Sequence, residues 1–75
     1  MKIKFIEVGR LSKTWESECQ AKSVDELEYD WLWSQVKKNA SVMSNDLEFM
    51  LSKDNMTDGI IYAGFHTIGK FQIVN

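Results

Sequence analysis

The sequence predicts an α+β fold: an antiparallel sheet of four or five strands packed on one helix, in the order ββαβββ. Three observations predict it. Only one stretch of the 75-residue chain, Ser23 to Asn39 (SVDELEYDWLWSQVKKN), is long and periodic enough for a helix of about four turns. The segments on either side alternate apolar and polar residues in short runs divided by turn residues. Proline is absent, where average usage gives roughly four, as fits a chain made mostly of hydrogen-bonded elements.

Lys2 to Val8 reads as the first strand. Ile3 and Phe5 alternate with Lys2 and Lys4, then Ile6 and Val8 switch parity. A bulge does this, and so does a strand covered on both faces. Gly9 to Lys13 is a turn. Thr14 to Lys22 alternates cleanly, with Trp15, Ser17, Cys19 and Ala21 on one face and Glu16, Glu18, Gln20 and Lys22 on the other. A hairpin is expected here.

The helix follows. Ser23 with Glu26 forms a capping box, and Asp25 and Glu26 suit the positive end of the helix dipole. Lys37 and Lys38 suit the other end, and Asn39 is the stop. Glu26, Asp30, Ser34 and Lys37 make the polar side. Val24, Leu27 and Trp31 form one apolar edge; Tyr29, Trp33, Val36 and Ala40 form the other, with Leu32 between. That arc is wider than one sheet face needs, so one edge is expected to be under-buried.

After a polar connection, Leu47 to Ser52 places Leu47, Phe49 and Leu51 inward and Glu48, Met50 and Ser52 outward. Lys53 to Gly59 reads as a loop ending in the turn dipeptide Asp58-Gly59. Ile60 to His66 is a strand, Thr67 to Lys70 a tight hairpin turn, and Phe71 to Val74 the last strand. No repeat or boundary divides the chain, so residues 1–75 form a single domain.

The net charge of −2 lacks the basic excess of a sequence-independent phosphate binder. The charge is polarised along the chain. Residues 1–13 hold Lys2, Lys4, Arg10 and Lys13 against Glu7; residues 16–30 hold Glu16, Glu18, Asp25, Glu26, Glu28 and Asp30 against Lys22. A solvated face is one reading of the acidic run, and a binding surface is another. A single cysteine rules out an intramolecular disulfide. No apolar run is long enough to span a bilayer and no secretory signal opens the chain, so a cytoplasmic location without membrane association is expected.

Residues that carry chemistry are sparse. Cys19 and His66 are the only thiol and imidazole, and Cys19 lies on the inward face. A buried structural thiol is therefore expected rather than a nucleophile, and an enzymatic role is not expected. Two ligands are too few for a structural zinc site. Asp54, Asn55 and Asp58 share a loop but lack the calcium-loop pattern. No cofactor is expected. The aromatics carry more information. Tyr29 and Trp33, four apart and beside Glu26 and Asp30, either anchor a partner or cover a sheet edge or loop.

The stretch from Glu7 to Leu27 (EVGRLSKTWESECQAKSVDEL) resembles short mobile-element proteins of the DpnD/PcfM-like kind. The matching residues are Glu7, Leu11, Ser12, Lys13, Ala21, Ser23, Asp25 and Glu26, less than a third of the chain. In size, acidity and strand–helix–strand order the whole chain also looks like phage-encoded anti-CRISPR proteins. That likeness is architectural and carries no functional residue over. It implies a phage or plasmid origin and a non-enzymatic, stoichiometric inhibitor of a host defence complex.

On this reading Glu16, Glu18, Glu26, Tyr29, Asp30 and Trp33 form an acidic, aromatic surface that competes with nucleic acid for a basic groove. The partner is a host protein or ribonucleoprotein such as a CRISPR effector. The alternatives are a self-associating module joined through strand edges, an enzyme using Cys19, and a nucleic-acid binder using the basic N-terminal strand and turn.

Overall fold

A computed structural model describes residues 1–52, 54 and 57–74. The elements are β1 (Lys2–Val8), β2 (Lys13–Glu18), a 3-10 turn (Val24–Glu26), α1 (Tyr29–Asn39), β3 (Leu47–Leu51), β4 (Asp58–Ala63) and β5 (His66–Ile73). The strands form one five-stranded sheet in the order β2-β1-β5-β4-β3. Every pairing is antiparallel. This is the α+β architecture that the alternating segments and the lone helical stretch predict.

The strand registers set two unlike faces. On the helix side one row crosses all five strands: Trp15, Phe5, Phe71, Gly59 and Leu51. Phe5 and Phe71 are buried, and the Trp15 ring stacks on Phe5 at 4.7 Å. A Cβ at Gly59 would clash with the Cζ and Cε atoms of Phe71, so the missing side chain is what lets that ring lie against β4. Ile3, Val8, Ile61 and Leu47 complete the sheet side of the core, and Leu32, Val36 and Ala40 of the helical layer close it. Burying each such aliphatic side chain is worth about 1.5–3 kcal/mol before chain entropy is counted.

The parity switch in β1 is a bulge. Its pairing with β2 shifts between Phe5 and Val8, and Glu7 adopts a positive φ of 49°. The bulge returns Val8 to the core, and Ile6 remains on the outer face with Lys70 and Ile60.

Four sequence expectations are corrected. First, the stretch from Ser23 to Asn39 is not one helix. Leu27 is extended (φ −72°, ψ 120°) and separates the 3-10 turn from α1. Neither Ser23 nor Glu28 makes a side-chain cap bond, so no capping box forms. The break places Val24 and Leu27 along the groove beside α1 that Phe49, Leu51 and Phe71 also line, and Leu27 packs on the core. It also narrows the apolar arc, because Val24 and Leu27 no longer belong to the same helix as Trp33 and Val36.

Second, Asp58-Gly59 is not a turn: both residues lie in β4. Gly59 serves packing against Phe71 rather than chain reversal. Third, the last hairpin turns at Gly64-Phe65, not at Thr67 to Lys70. Gly64 supplies the left-handed backbone (φ 63°) that the reversal requires. Gly69 lies within β5 against Val8, whose Cα is 2.9 Å from where a Cβ would stand. Fourth, β2 ends at Glu18 rather than Lys22, although Cys19 and Ala21 are buried as their alternation predicts. Of the loop read from Lys53 to Gly59, Lys53, Asn55 and Met56 lie outside the described residues, and so does Asn55 of the Asp54, Asn55, Asp58 set.

Candidate interaction surfaces

The strand directions give the molecule two chemically distinct ends. The C-terminal end of β2, the 3-10 turn and the start of α1 carry Glu18, Asp25, Glu26, Glu28 and Asp30 together with Lys22. The far end carries the β1–β2 turn, the end of α1 and the β4–β5 turn. Three contacts fix that second grouping. The Gly9 N–H donates to the Ile68 carbonyl at 2.9 Å, and the Gly64 N–H donates to the Asp46 carbonyl at 3.0 Å. Gly9 also packs against Ala40 and Val42.

At the acidic end lies a shallow cleft lined by Glu18, Cys19, Gln20, Ala21, Glu26, Glu28 and Trp31. Trp31 is half-buried and tilts against Phe5, with centroids 6.2 Å apart. Its indole is therefore held in place by the core, and Glu18, Glu26 and Glu28 line the cleft with it; a Glu18 carboxylate oxygen lies 3.4 Å from the N-terminal ammonium of Met1. Such a site suits a guanidinium or ammonium group, which gains opposite charge from the rim and a π-face from the indole.

The six residues chosen from the sequence divide into three places. Glu18 and Glu26 line the cleft. Glu16 faces the other side of the sheet, opposite Lys4 in register, with a carboxylate oxygen 3.8 Å from the Lys2 Nζ. Tyr29, Asp30 and Trp33 belong to α1, where Asp30 is exposed in the first turn. The Tyr29 hydroxyl donates to the Leu47 carbonyl, and its ring meets Phe49 edge-on at 5.6 Å. The Trp33 Nε1–H donates to the Asn45 carbonyl at 3.2 Å, and Lys37 Nζ lies 5.6 Å from the Trp33 ring. Both aromatics thus cover the β3 edge and the connection leading to it. Tyr29 is still 48% exposed.

Sequence reasoning missed Trp31 and Glu28 as neighbours of Glu18 and Glu26. A continuous helix puts Glu28 between two apolar edges. The extended Leu27 brings it instead to the rim of the cleft. The signal available was the absence of any breaker to explain an over-wide apolar arc, and no residue type marked where the break would fall.

A second surface is the face of the sheet that α1 leaves open. Ile6, Lys70, Ile60 and Met50 form a row across four strands, and Tyr62 lies beside it. Met50 is 54% and Ile60 38% exposed. Asp58 accepts a hydrogen bond from Gln72 Nε2 at 2.9 Å at its border.

Cys19 and His66 are far apart. Cys19 is buried at the acidic end, where its Sγ accepts the Ala21 N–H at 3.5 Å. His66 is exposed beside the Gly64-Phe65 turn at the other end. The geometry does not assemble a thiol–imidazole pair. Among the described residues, no three His, Cys, Asp or Glu side chains gather as a metal site, and no helix is long and apolar enough to cross a membrane. Comparison with family models, with curated proteins and with solved structures finds no match, so the fold and its surfaces are what bear on function.

Proposed function

We propose that the protein is a non-enzymatic binding module that occupies a basic, nucleic-acid-binding groove of a host defence complex, in the manner of a phage or mobile-element inhibitor. The observation that carries the reading is the acidic cleft, which Glu18, Glu26 and Glu28 line together with Trp31. Carboxylates there take the place of phosphates against Lys and Arg of the target, and Trp31 gives one of those side chains a hydrophobic seat. Asp25 and Asp30 extend the field and steer the approach of a cationic partner. Tyr29 contributes its exposed edge from the adjoining turn of α1. The host cytoplasm is the compartment this role requires.

The test is a pull-down from nuclease-treated bacterial lysate, run in parallel with wild-type protein and with Glu18→Lys, Glu26→Lys and Glu28→Lys combined. The expected result is a nucleic-acid-binding protein held by the wild type, displaced by added nucleic acid and by high salt, and lost from the triple variant. A captured set that the charge reversals leave unchanged contradicts the assignment.

The open sheet face favours a second reading, self-association. Met50 and Ile60, with Ile6 and Tyr62, offer an apolar strip that a second copy can cover. Sedimentation equilibrium separates the two: a dimer that Ile60→Lys dissolves supports self-association, and a monomer at high concentration removes it.

A further inference from the structure

The end of the molecule opposite the acidic cleft exposes a large apolar side chain on each of three turns. Leu11 on the β1–β2 turn is 74% exposed, Met43 after α1 is 93% exposed, and Phe65 at the β4–β5 tip is fully exposed. These are the most exposed large apolar residues among those described. The turns that carry them are held together by the Gly9–Ile68 and Gly64–Asp46 hydrogen bonds. Cations accompany two of them. Arg10 and Lys13 lie at the turn with Leu11, and Lys38 lies in the last turn of α1 ahead of Met43. Lys37 donates to the Val42 and Ser44 carbonyls at 2.6 and 3.1 Å and so carries its charge beside Met43. Glu7, Asp46 and Glu48 are the carboxylates on these turns and their flanks.

We propose that this end docks peripherally on an anionic lipid bilayer, with Leu11, Met43 and Phe65 entering the headgroup–acyl boundary and Arg10, Lys13 and Lys38 meeting acidic headgroups. Three features favour that occupant. The apolar groups stand on three separate turns, so a rigid protein partner would need three matched pockets, whereas a fluid interface accepts each tip independently. Leucine and methionine gain from an acyl environment but offer no ring for a nucleobase, and only Phe65 could stack. The charge separation along the molecule also orients it: a negative surface attracts the basic end and turns the acidic cleft outward. The contact needs no spanning segment, so the absence of one does not bear on it.

The test is co-sedimentation of the whole chain with vesicles of equal parts phosphatidylcholine and phosphatidylglycerol, against vesicles of phosphatidylcholine alone. The wild type is expected to bind the anionic vesicles, more weakly as salt rises. Phe65→Ser should weaken the binding about tenfold, the loss expected when one aromatic side chain no longer leaves water. Leu11→Ser, Met43→Ser and Phe65→Ser combined should abolish it. Arg10→Gln with Lys13→Gln should weaken binding to anionic vesicles with all three tips intact, which keeps the test decisive should the triple variant fail to fold. Wild-type protein left in the supernatant with both vesicles overturns the proposal. So does binding to single-stranded DNA that Arg10→Gln with Lys13→Gln removes and Phe65→Ser leaves unchanged, which assigns the basic end to nucleic acid.

Discussion

Gly59 and Gly64 are both glycines of the β4–β5 hairpin, and they answer to different physics. At Gly59 the constraint is space, since a methyl group there would overlap the Cζ and Cε atoms of the Phe71 ring. At Gly64 space is free and the constraint is the backbone, with φ at 63°. Gly64→Ala should therefore cost about 1 kcal/mol, the strain of a left-handed alanine. Gly59→Ala should cost about 1–3 kcal/mol, because a buried ring must move in a packed core. Paired urea melts check the order, and equal losses would refute the packing role of Gly59. Trp15 gives a second case. Its ring stacks on Phe5 with planes 11° apart, but its buried indole N–H meets no acceptor among the described residues. Trp15→Phe keeps the stack and removes the unmatched donor. The change in stability should stay within about 1 kcal/mol, where an indole engaged in a buried hydrogen bond would lose more.

At the scale of elements, the helical segment shows where local signals lose to packing. Ser23 and Glu26 have the spacing of a capping box, and a working cap is worth about 1 kcal/mol. The hydroxyl of Ser23 makes no cap bond, and α1 begins six residues later. Ser23→Ala should then change the melting free energy by less than about 0.5 kcal/mol. Glu28→Ser, at the actual N-cap, should raise it by about 0.5–1 kcal/mol. A large loss at Ser23 in a urea melt would mean that the longer helix forms in solution.

The strands were far more legible than this segment. Their period of two follows from burial on one face, and Leu47, Phe49 and Leu51 face the core as the alternation requires. The turns of the second half were legible as glycines but not as roles. Gly59 and Gly69 are packing sites and Gly64 is the reversal, and only the pairing of β4 with β5 distinguishes them. The acidic residues of the cleft were visible in composition. Their neighbour in the cleft, Trp31, was not, because its place beside them depends on the extended backbone at Leu27.

For the whole molecule, the separation of charge along the chain becomes a separation in space. Acidic residues gather around the start of α1, and basic residues gather around its end with the exposed tips of three turns. On the two proposals, each end meets a different kind of surface. The central claim concerns the acidic end, that the cleft over Trp31 receives a cationic side chain. The most direct measurement is a two-dimensional 1H–15N NMR titration of the protein with an arginine-rich peptide. The account predicts shifts concentrated at the Trp31 indole N–H and at the amides of Glu18, Glu26 and Glu28. High salt should reverse them, and Glu26→Lys with Glu28→Lys should abolish them. Shifts centred on Ile60 and Tyr62 of the open sheet face, or a Trp31 indole that does not respond, would contradict it.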